Sequence, residues 1–152
     1  MNCLSDLQCR RAGLGEQAYF WWLHQLCYRP LICEQFGGWD TQDQYAAFLR
    51  KWVQGGFQVV EVNGQPIGGL WTRDTDDCHE VLEIQLQPDW QGRGIGTRLL
   101  RHEIRRAHAC NKPLRLAVLF RNRALSLYRR LGFEPVGQTA FQFILECRPA
   151  AQ

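Results

Sequence analysis

The spacing of apolar residues changes period along this chain. Over residues 15–28 aromatics and leucines recur at helical spacing, with Ala18, Trp22 and Leu26 on one line and Tyr19 and Leu23 beside it. That pattern predicts a helix ending before Pro30, since a proline pushes the residue ahead of it out of helical geometry. A second helix is expected after Asp40, a good N-cap, with Tyr45, Phe48, Leu49 and Trp52 on one face. Alternation then takes over. Residues 57–62 read as a strand, Asn63-Gly64 as a tight turn and residues 66–71 as the hairpin partner. A weakly patterned strand at 7–11 precedes all of these, and a strand at 80–86 follows them. After a turn at 87–93, a helix over 94–109 points Ile95, Leu99, Leu100, Ile104 and Ala107 at the core. A buried strand at 114–120, a short helix over 122–131 closed by Gly132, and one or two strands within 133–147 complete the reading. Helices, then a meander, then alternating strands and helices make a mixed α/β sheet.

Composition narrows the class. With 152 residues, 45% of them hydrophobic and 22% charged, the chain has one domain's worth of core and is too apolar for disorder. No window holds 18 uninterrupted apolar residues, and the first residues lack a basic region followed by an apolar run. Neither a membrane span nor a secretory leader is expected. Seven cysteines without a Cys-x-x-Cys predict neither a disulfide framework nor a metal site, and they fit reduced thiols in the cytoplasm.

Charge adds what composition hides. Residues 1–92 hold 6 Lys/Arg against 12 Asp/Glu, a balance of −6. Residues 93–130 hold 11 against Glu103 alone, a balance of +10. The remaining residues contribute −1, and the formal total is +3. Such asymmetry points to a polyanionic partner: a phosphorylated cofactor, nucleic acid or a membrane surface.

The basic block begins inside a glycine loop, Gln91-Gly92-Arg93-Gly94-Ile95-Gly96-Thr97, set between a strand and a helix. Closely spaced glycines admit a ligand to the backbone, and the unpaired N–H groups at a helix start attract phosphate. The loop lacks the lysine of a P-loop, and Thr97 stands where a dinucleotide fingerprint needs its third glycine. A second cluster, Asn122, Ala124, Leu125, Tyr128, Gly132 and Phe133, lies on the last predicted helix and just beyond it.

Together these runs resemble the GCN5-related N-acetyltransferases. Gln91, Gly94 and Gly96 match that family's Gln/Arg-x-x-Gly-x-Gly/Ala motif. The second cluster matches its Asn…Leu-Tyr…Gly-Phe motif, with Leu125 for alanine and Ala124 one place early. The resemblance implies an α/β fold with a mixed, mostly antiparallel central sheet flanked by helices on both faces. It also implies an acyl-CoA cleft between two splayed strands. One N-acetyltransferase domain over 1–152 is expected, with 1–56 as acceptor-side helices and 57–147 as sheet and acetyl-CoA-binding core.

The implied reaction is direct acetyl transfer from acetyl-CoA to an amine. Backbone groups of Ile84, Gln85 and Leu86 would then bond the pantetheine arm, with the Leu86 N–H polarising the thioester carbonyl. Amides of the 91–97 loop would hold the pyrophosphate, Asn122 would contact the arm, and Arg93, Arg98 or Arg130 would meet the 3′-phosphate. Tyr128 resembles the family's proton donor to the departing sulfur. For the base, Glu83 interrupts an apolar run and Glu80 sits three residues earlier, so strand alternation puts them on opposite faces. His79 is a weaker candidate, expected at the surface. Trp39 and Asp40, in an acidic and aromatic first half, suit an amine acceptor.

The expected acceptor is a small amine, with a homodimer admitted and no nucleic-acid or membrane partner. The alternatives are a peptide or protein acceptor, a non-catalytic acyl-CoA-binding module, and nucleic-acid binding through Arg115, Arg121 and Arg123.

Overall fold

Alternating burial builds the sheet. The structure, a computed structural model, describes residues 6–151. Its strands are β1 (Leu7–Arg11), β2 (Phe57–Val62), β3 (Gln65–Asp74), β4 (His79–Leu86), β5 (Leu114–Leu119), β6 (Glu134–Gln138) and β7 (Gln142–Cys147). Its helices are α1 (Gln17–Phe36), α2 (Thr41–Trp52), α3 (Ile95–Ala109) and α4 (Leu125–Arg130). The strands form one sheet in the order β1-β2-β3-β4-β5-β7-β6. β1–β2, β2–β3, β5–β7 and β6–β7 are antiparallel and β4–β5 is parallel, so the sheet is mixed as expected. No helix among the described residues is long and apolar enough to cross a membrane. The chain forms two compact units: one runs up to Trp71 and takes in Glu83–Gly92, the other combines Thr72–Leu82 with Arg93 onward.

In the first unit, β1, β2 and β3 make a meander. The turn between β2 and β3 takes positive φ at both Asn63 (52°) and Gly64 (78°), the geometry a two-residue hairpin needs. Phe20 of α1, Phe48 and Trp52 of α2, Phe57 of β2 and Trp71 of β3 pack as one aromatic cluster, with Phe57 and Trp71 stacked at 4.7 Å. The Trp71 indole donates to the Gly55 carbonyl at 2.7 Å, so its polar tip is satisfied. Asp40 caps α2 as expected, accepting from the Asp43 N–H at 3.0 Å.

Helix α1 departs from expectation twice. It runs through Pro30 to Phe36 and stops at Gly37, whose φ of 80° closes a left-handed cap. Pro30 is exposed, so its ring meets solvent, and the missing N–H costs one bond in a 20-residue helix. The buried stripe is Phe20, Leu23 and His24, while Ala18, Trp22 and Leu26 face outward. Aromatic residues crowd both sides of this helix, so spacing alone leaves its inner face ambiguous.

In the second unit, α3 buries Ile95, Leu99, Leu100 and Ala107, leaves Ile104 half-buried, and crosses from β4 to the parallel β5. The same buried face carries Glu103, the one acid of the basic block. β5 pairs with β7 along its whole length, and a bulge near Pro135 lets β6 follow β7 to the sheet edge. Helix α4 is shorter than expected, spanning Leu125–Arg130, because Asn122 turns the chain first. Its carboxamide oxygen accepts from the Ala124 N–H at 2.8 Å, a local Asx turn that delays the helix.

Candidate functional site

β4 carries both candidate bases and the residues expected to bond the pantetheine arm, and its burial alternates strictly along its eight positions. His79, Val81, Glu83 and Gln85 are buried; Glu80, Leu82, Ile84 and Leu86 are half-buried. The two glutamates therefore point to opposite faces, as the alternation requires. Both are ion-paired: Glu80 with Arg73 at 2.9 Å, Glu83 with Lys51 of α2 at 2.8 Å. Glu83 retains 9% exposure, so its partner offsets much of the cost of holding a carboxylate there. Gln85 is buried with its amide nitrogen unpartnered. The Leu86 carbonyl accepts from the Gln91 side chain at 2.9 Å and from the Cys27 thiol at 3.2 Å, which ties the strand end to the following loop and to α1. Burial pushes that thiol up to about 11, so Cys27 is a neutral donor.

Past β4 the chain makes a single 3₁₀ turn, Pro88–Trp90, and then the glycine loop. Gly92 and Gly94 both take left-handed φ, 73° and 80°, which a residue with a Cβ adopts only under strain. Gly94 is the N-cap of α3, a 15-residue helix with no acid in its first turn. Its first amides, at Ile95, Gly96 and Thr97, have no partner within the helix. Arg93 is exposed. Loop and helix start thus have the geometry and sign of an anion site.

In the second unit, parallel pairing of β4 with β5 registers at His79↔Leu114, Glu80↔Arg115 and Val81↔Leu116. Tyr128 is buried in α4, its ring edge-on to Phe133 with centroids 5.8 Å apart. Burial pushes its phenol up to about 12, so it holds its proton throughout the ordinary pH range. Asn122 is half-buried, with its carboxamide oxygen committed to the turn before α4.

His79 is not at the surface. It opens β4 at 2% exposure, with Nδ1 2.5 Å from Asp74 and Nε2 2.5 Å from Glu103. Arg106 reaches Glu103 from one turn further along α3, at 3.1 Å. Glu103 arrives 24 residues later in the chain, so local sequence gave no sign of this partner. The Glu103 hydrogen bond, with Asp74 behind it and burial opposing, raises the imidazole above its ordinary 6.5. Because the folded pKa is raised, the stabilisation is complete below the unfolded value near 6.5 and is lost as pH rises through the folded one. Thermal melts of the wild type should therefore hold a plateau in mild acid and fall on the alkaline side of that value. The substitution His79→Gln should lower stability by about 3 kcal/mol and remove that component of the pH dependence. A His79→Gln profile parallel to wild type would contradict the assignment.

Of the two residues expected to receive the acceptor, Trp39 is half-buried, 5.9 Å from His24 and 6.5 Å from Trp21 by ring centroid, with the Arg29 guanidinium over its ring at 5.9 Å. Asp40 is exposed. Sequence reasoning did not find His24 or Lys51. His24 was legible only with the correct stripe of α1, where it lies four residues after Phe20. The acidic run at Asp76 and Asp77 is an exposed turn, pinned by the Cys78 N–H donating to Thr75 Oγ1.

Comparisons with known proteins bear on the family and the fold. A family model described as an acetyltransferase (GNAT) domain matches residues 53–135, more than half of the chain. An uncharacterised N-acetyltransferase of Methanocaldococcus jannaschii is 37% identical over 99 residues, which are 59% of this chain and 44% of that protein. The match thus spans less than half the length of that curated relative. Among solved structures, a protein of Pyrococcus horikoshii OT3 superposes with a TM-score of 0.74 at 21% identity, covering 95% of this chain and 99% of that one. The PaiA N-acetyltransferase of Thermoplasma acidophilum, solved in complex with coenzyme A, gives 0.67 at 16% identity over 93% and 98%. At these identities the structural likeness speaks to the fold.

Proposed function

From the premise that the chain belongs to the GCN5-related N-acetyltransferases, whose family model matches over half of it, we propose that it transfers an acetyl group from acetyl-CoA to a primary amine of a small molecule. The observation that carries this reading is the 91–97 loop. Left-handed Gly92 and Gly94 turn the backbone into the start of a 15-residue helix free of acid in its first turn. That arrangement fits a pyrophosphate, which needs converging N–H donors and no competing carboxylate. Arg93, Arg98 or Arg130 supplies a cation for the remaining phosphate, while Arg106 and Arg115 of the same basic block pair with Glu103 and Glu146.

Roles for the chain's own groups follow. Backbone groups of Ile84, Gln85 and Leu86, with Asn122, hold the pantetheine arm; the Leu86 N–H polarises the thioester carbonyl. The amine nitrogen attacks that carbon, the C–N bond forms and the C–S bond breaks. Glu83 receives the amine proton, with Glu80 as the second candidate, and the Tyr128 phenol donates to the departing sulfur. Trp39 and Asp40 receive the acceptor. β5, which reads Leu-Arg-Leu-Ala-Val-Leu, offers no acid for the proton transfer, so the base is Glu83 or Glu80, or a water chain that relays the proton.

Coenzyme A alone tests the donor half. At a hundred times its dissociation constant it should raise the melting temperature by about 5 °C or more. No shift at millimolar concentration means the cofactor assignment is wrong.

A further inference from the structure

The Glu83 carboxylate has one oxygen held and the other open. Its Oε1 accepts from the Lys51 ammonium at 2.8 Å. Its Oε2 has no hydrogen-bond donor among the described residues, and it is not sealed from solvent as Nε2 of Gln85 is. Glu80, the other candidate base, differs. Arg73 takes its Oε2 at 2.9 Å, and the Cys78 thiol points at its Oε1 from 3.8 Å.

Lys51 reaches Glu83 because of its place on α2. It follows the buried Phe48 by three residues and Gln44 precedes that ring by four, so all three project from one face. Arg50, one place earlier, is exposed and lies off that stripe. The pair is sheltered: Glu83 keeps 9% exposure and Lys51 40%. Burial that deep favours the neutral acid, and a cation at hydrogen-bond distance opposes it. Lys51 is the cation that meets this carboxylate among the described residues. On α1, burial lowers the His24 imidazole and pushes the Cys27 thiol up to about 11, so both groups are neutral. On the strands either side of β4, Arg73 pairs with Glu80 and Arg115 with Glu146.

We infer that Lys51 is a positioning residue for acetyl transfer: it fixes Glu83 through Oε1 and keeps the carboxylate ionised, so that Oε2 takes the amine proton. That proton passes to Oε2 as the C–N bond forms and the C–S bond breaks. Oε2 then gives it to solvent, one proton from solvent completes the thiol, and Lys51 keeps its own throughout. The inference rests on the acetyltransferase reading and chooses between its two glutamates.

The test follows thiol release at saturating acetyl-CoA from near pH 6 to near pH 9. Among alaninamide, a diamine and a short peptide, the amine that releases most thiol is used. Each variant's kcat/KM for that amine is divided by the wild-type value, which cancels the acceptor's own titration. Lys51→Met keeps the stem and removes the charge, so the enclosed carboxylate takes up a proton. Its ratio should be about ten-fold or more lower near pH 6 than near pH 9. Lys51→Arg should stay within about three-fold of wild type at both ends. In a Glu83→Gln background, Lys51→Met should give a level ratio across the range. Lys51→Gln, which leaves an amide to bond Oε1, takes the place of Lys51→Met if the latter does not fold. A charge-free variant that melts and binds coenzyme A as wild type does, with a ratio equal at both ends, overturns this inference alone and makes the pair structural. Wild type that binds coenzyme A yet releases no thiol with any of the three amines overturns the acetyltransferase reading with it.

Discussion

Replacing Tyr128 by Phe should lower kcat by about ten- to a hundred-fold and leave coenzyme A affinity and stability close to wild type. The magnitude follows from what the phenol can do. With its pKa pushed up to about 12, the phenol is a weaker acid than the departing thiol, so full proton transfer to the thiolate would run uphill. A hydrogen bond to sulfur as it gains charge is worth about 1.5–3 kcal/mol, which sets the predicted range. The ring packs edge-on against Phe133, and phenylalanine preserves that contact. Steady-state kinetics with acetyl-CoA varied separates the outcomes: kcat falls and the KM for acetyl-CoA holds. A change of less than about three-fold in kcat would reduce Tyr128 to a packing residue. The same elevated pKa predicts that an alkaline limb below pH 10 belongs to another group.

Gly68→Ala should be among the most destabilising single substitutions in the first unit. A Cβ there would fall inside contact distance of the Gln85 carbonyl oxygen and meet Leu86 Cδ2 at 2.9 Å and Leu86 Cα at 3.1 Å. A strand carbonyl cannot swing aside as a side chain can, so β3 or β4 must move. Overpacking of this kind costs about 1–3 kcal/mol, and the upper end is expected where backbone blocks the way. The displaced residues are the ones proposed to hold the pantetheine arm, so coenzyme A affinity should fall with stability. Gly69→Ala is the control. Its Cβ would fall inside contact distance of the buried Phe20 ring and meet Leu23 Cδ2 at 3.3 Å, so it clashes with side chains, whereas at Gly68 the obstacle is backbone. Urea melts of the two variants should rank Gly68→Ala below Gly69→Ala; the reverse order would show that the β3–β4 approach is not the tight one.

These two residues also show how far sequence reaches. Tyr128 stands out in the sequence because a motif fixes its distance from Asn122 and Gly132, and the structure buries it in α4. Gly68 does not stand out, because nothing near it in the chain says that β4 will pass so closely. The strand at 57–62 is legible from alternation and Asn63-Gly64 from turn chemistry; the buried strand expected at 114–120 forms over Leu114–Leu119, but its burial alternates and Ala117 is exposed. Helix α1 departs from its pattern at its end and on its face. Proline rules are local, whereas the helix continues on packing, and a helix with aromatics on every side offers no clear stripe. His79 looked like a surface residue for the reason Gly68 looked ordinary. Its partner Glu103 sits on a helix that the chain reaches only after the glycine loop. The charge split was legible in outline, yet its single acid, Glu103, proved a buried partner to a histidine and an arginine. In the acidic first half, the aromatic density was visible, but the pairing of Lys51 with Glu83, 32 residues apart in the chain, appears only when α2 is placed.

The central claim is that this chain couples acetyl-CoA to an amine. Its most direct test is the release of free thiol from acetyl-CoA on addition of alaninamide, followed in parallel by mass spectrometry of the amine. Thiol release should depend on the amine, match the acetylated product one for one, and drop in Tyr128→Phe. Tight coenzyme A binding with no amine-dependent thiol release, across alaninamide, diamines and peptides, would contradict it and leave an acyl-CoA-binding module.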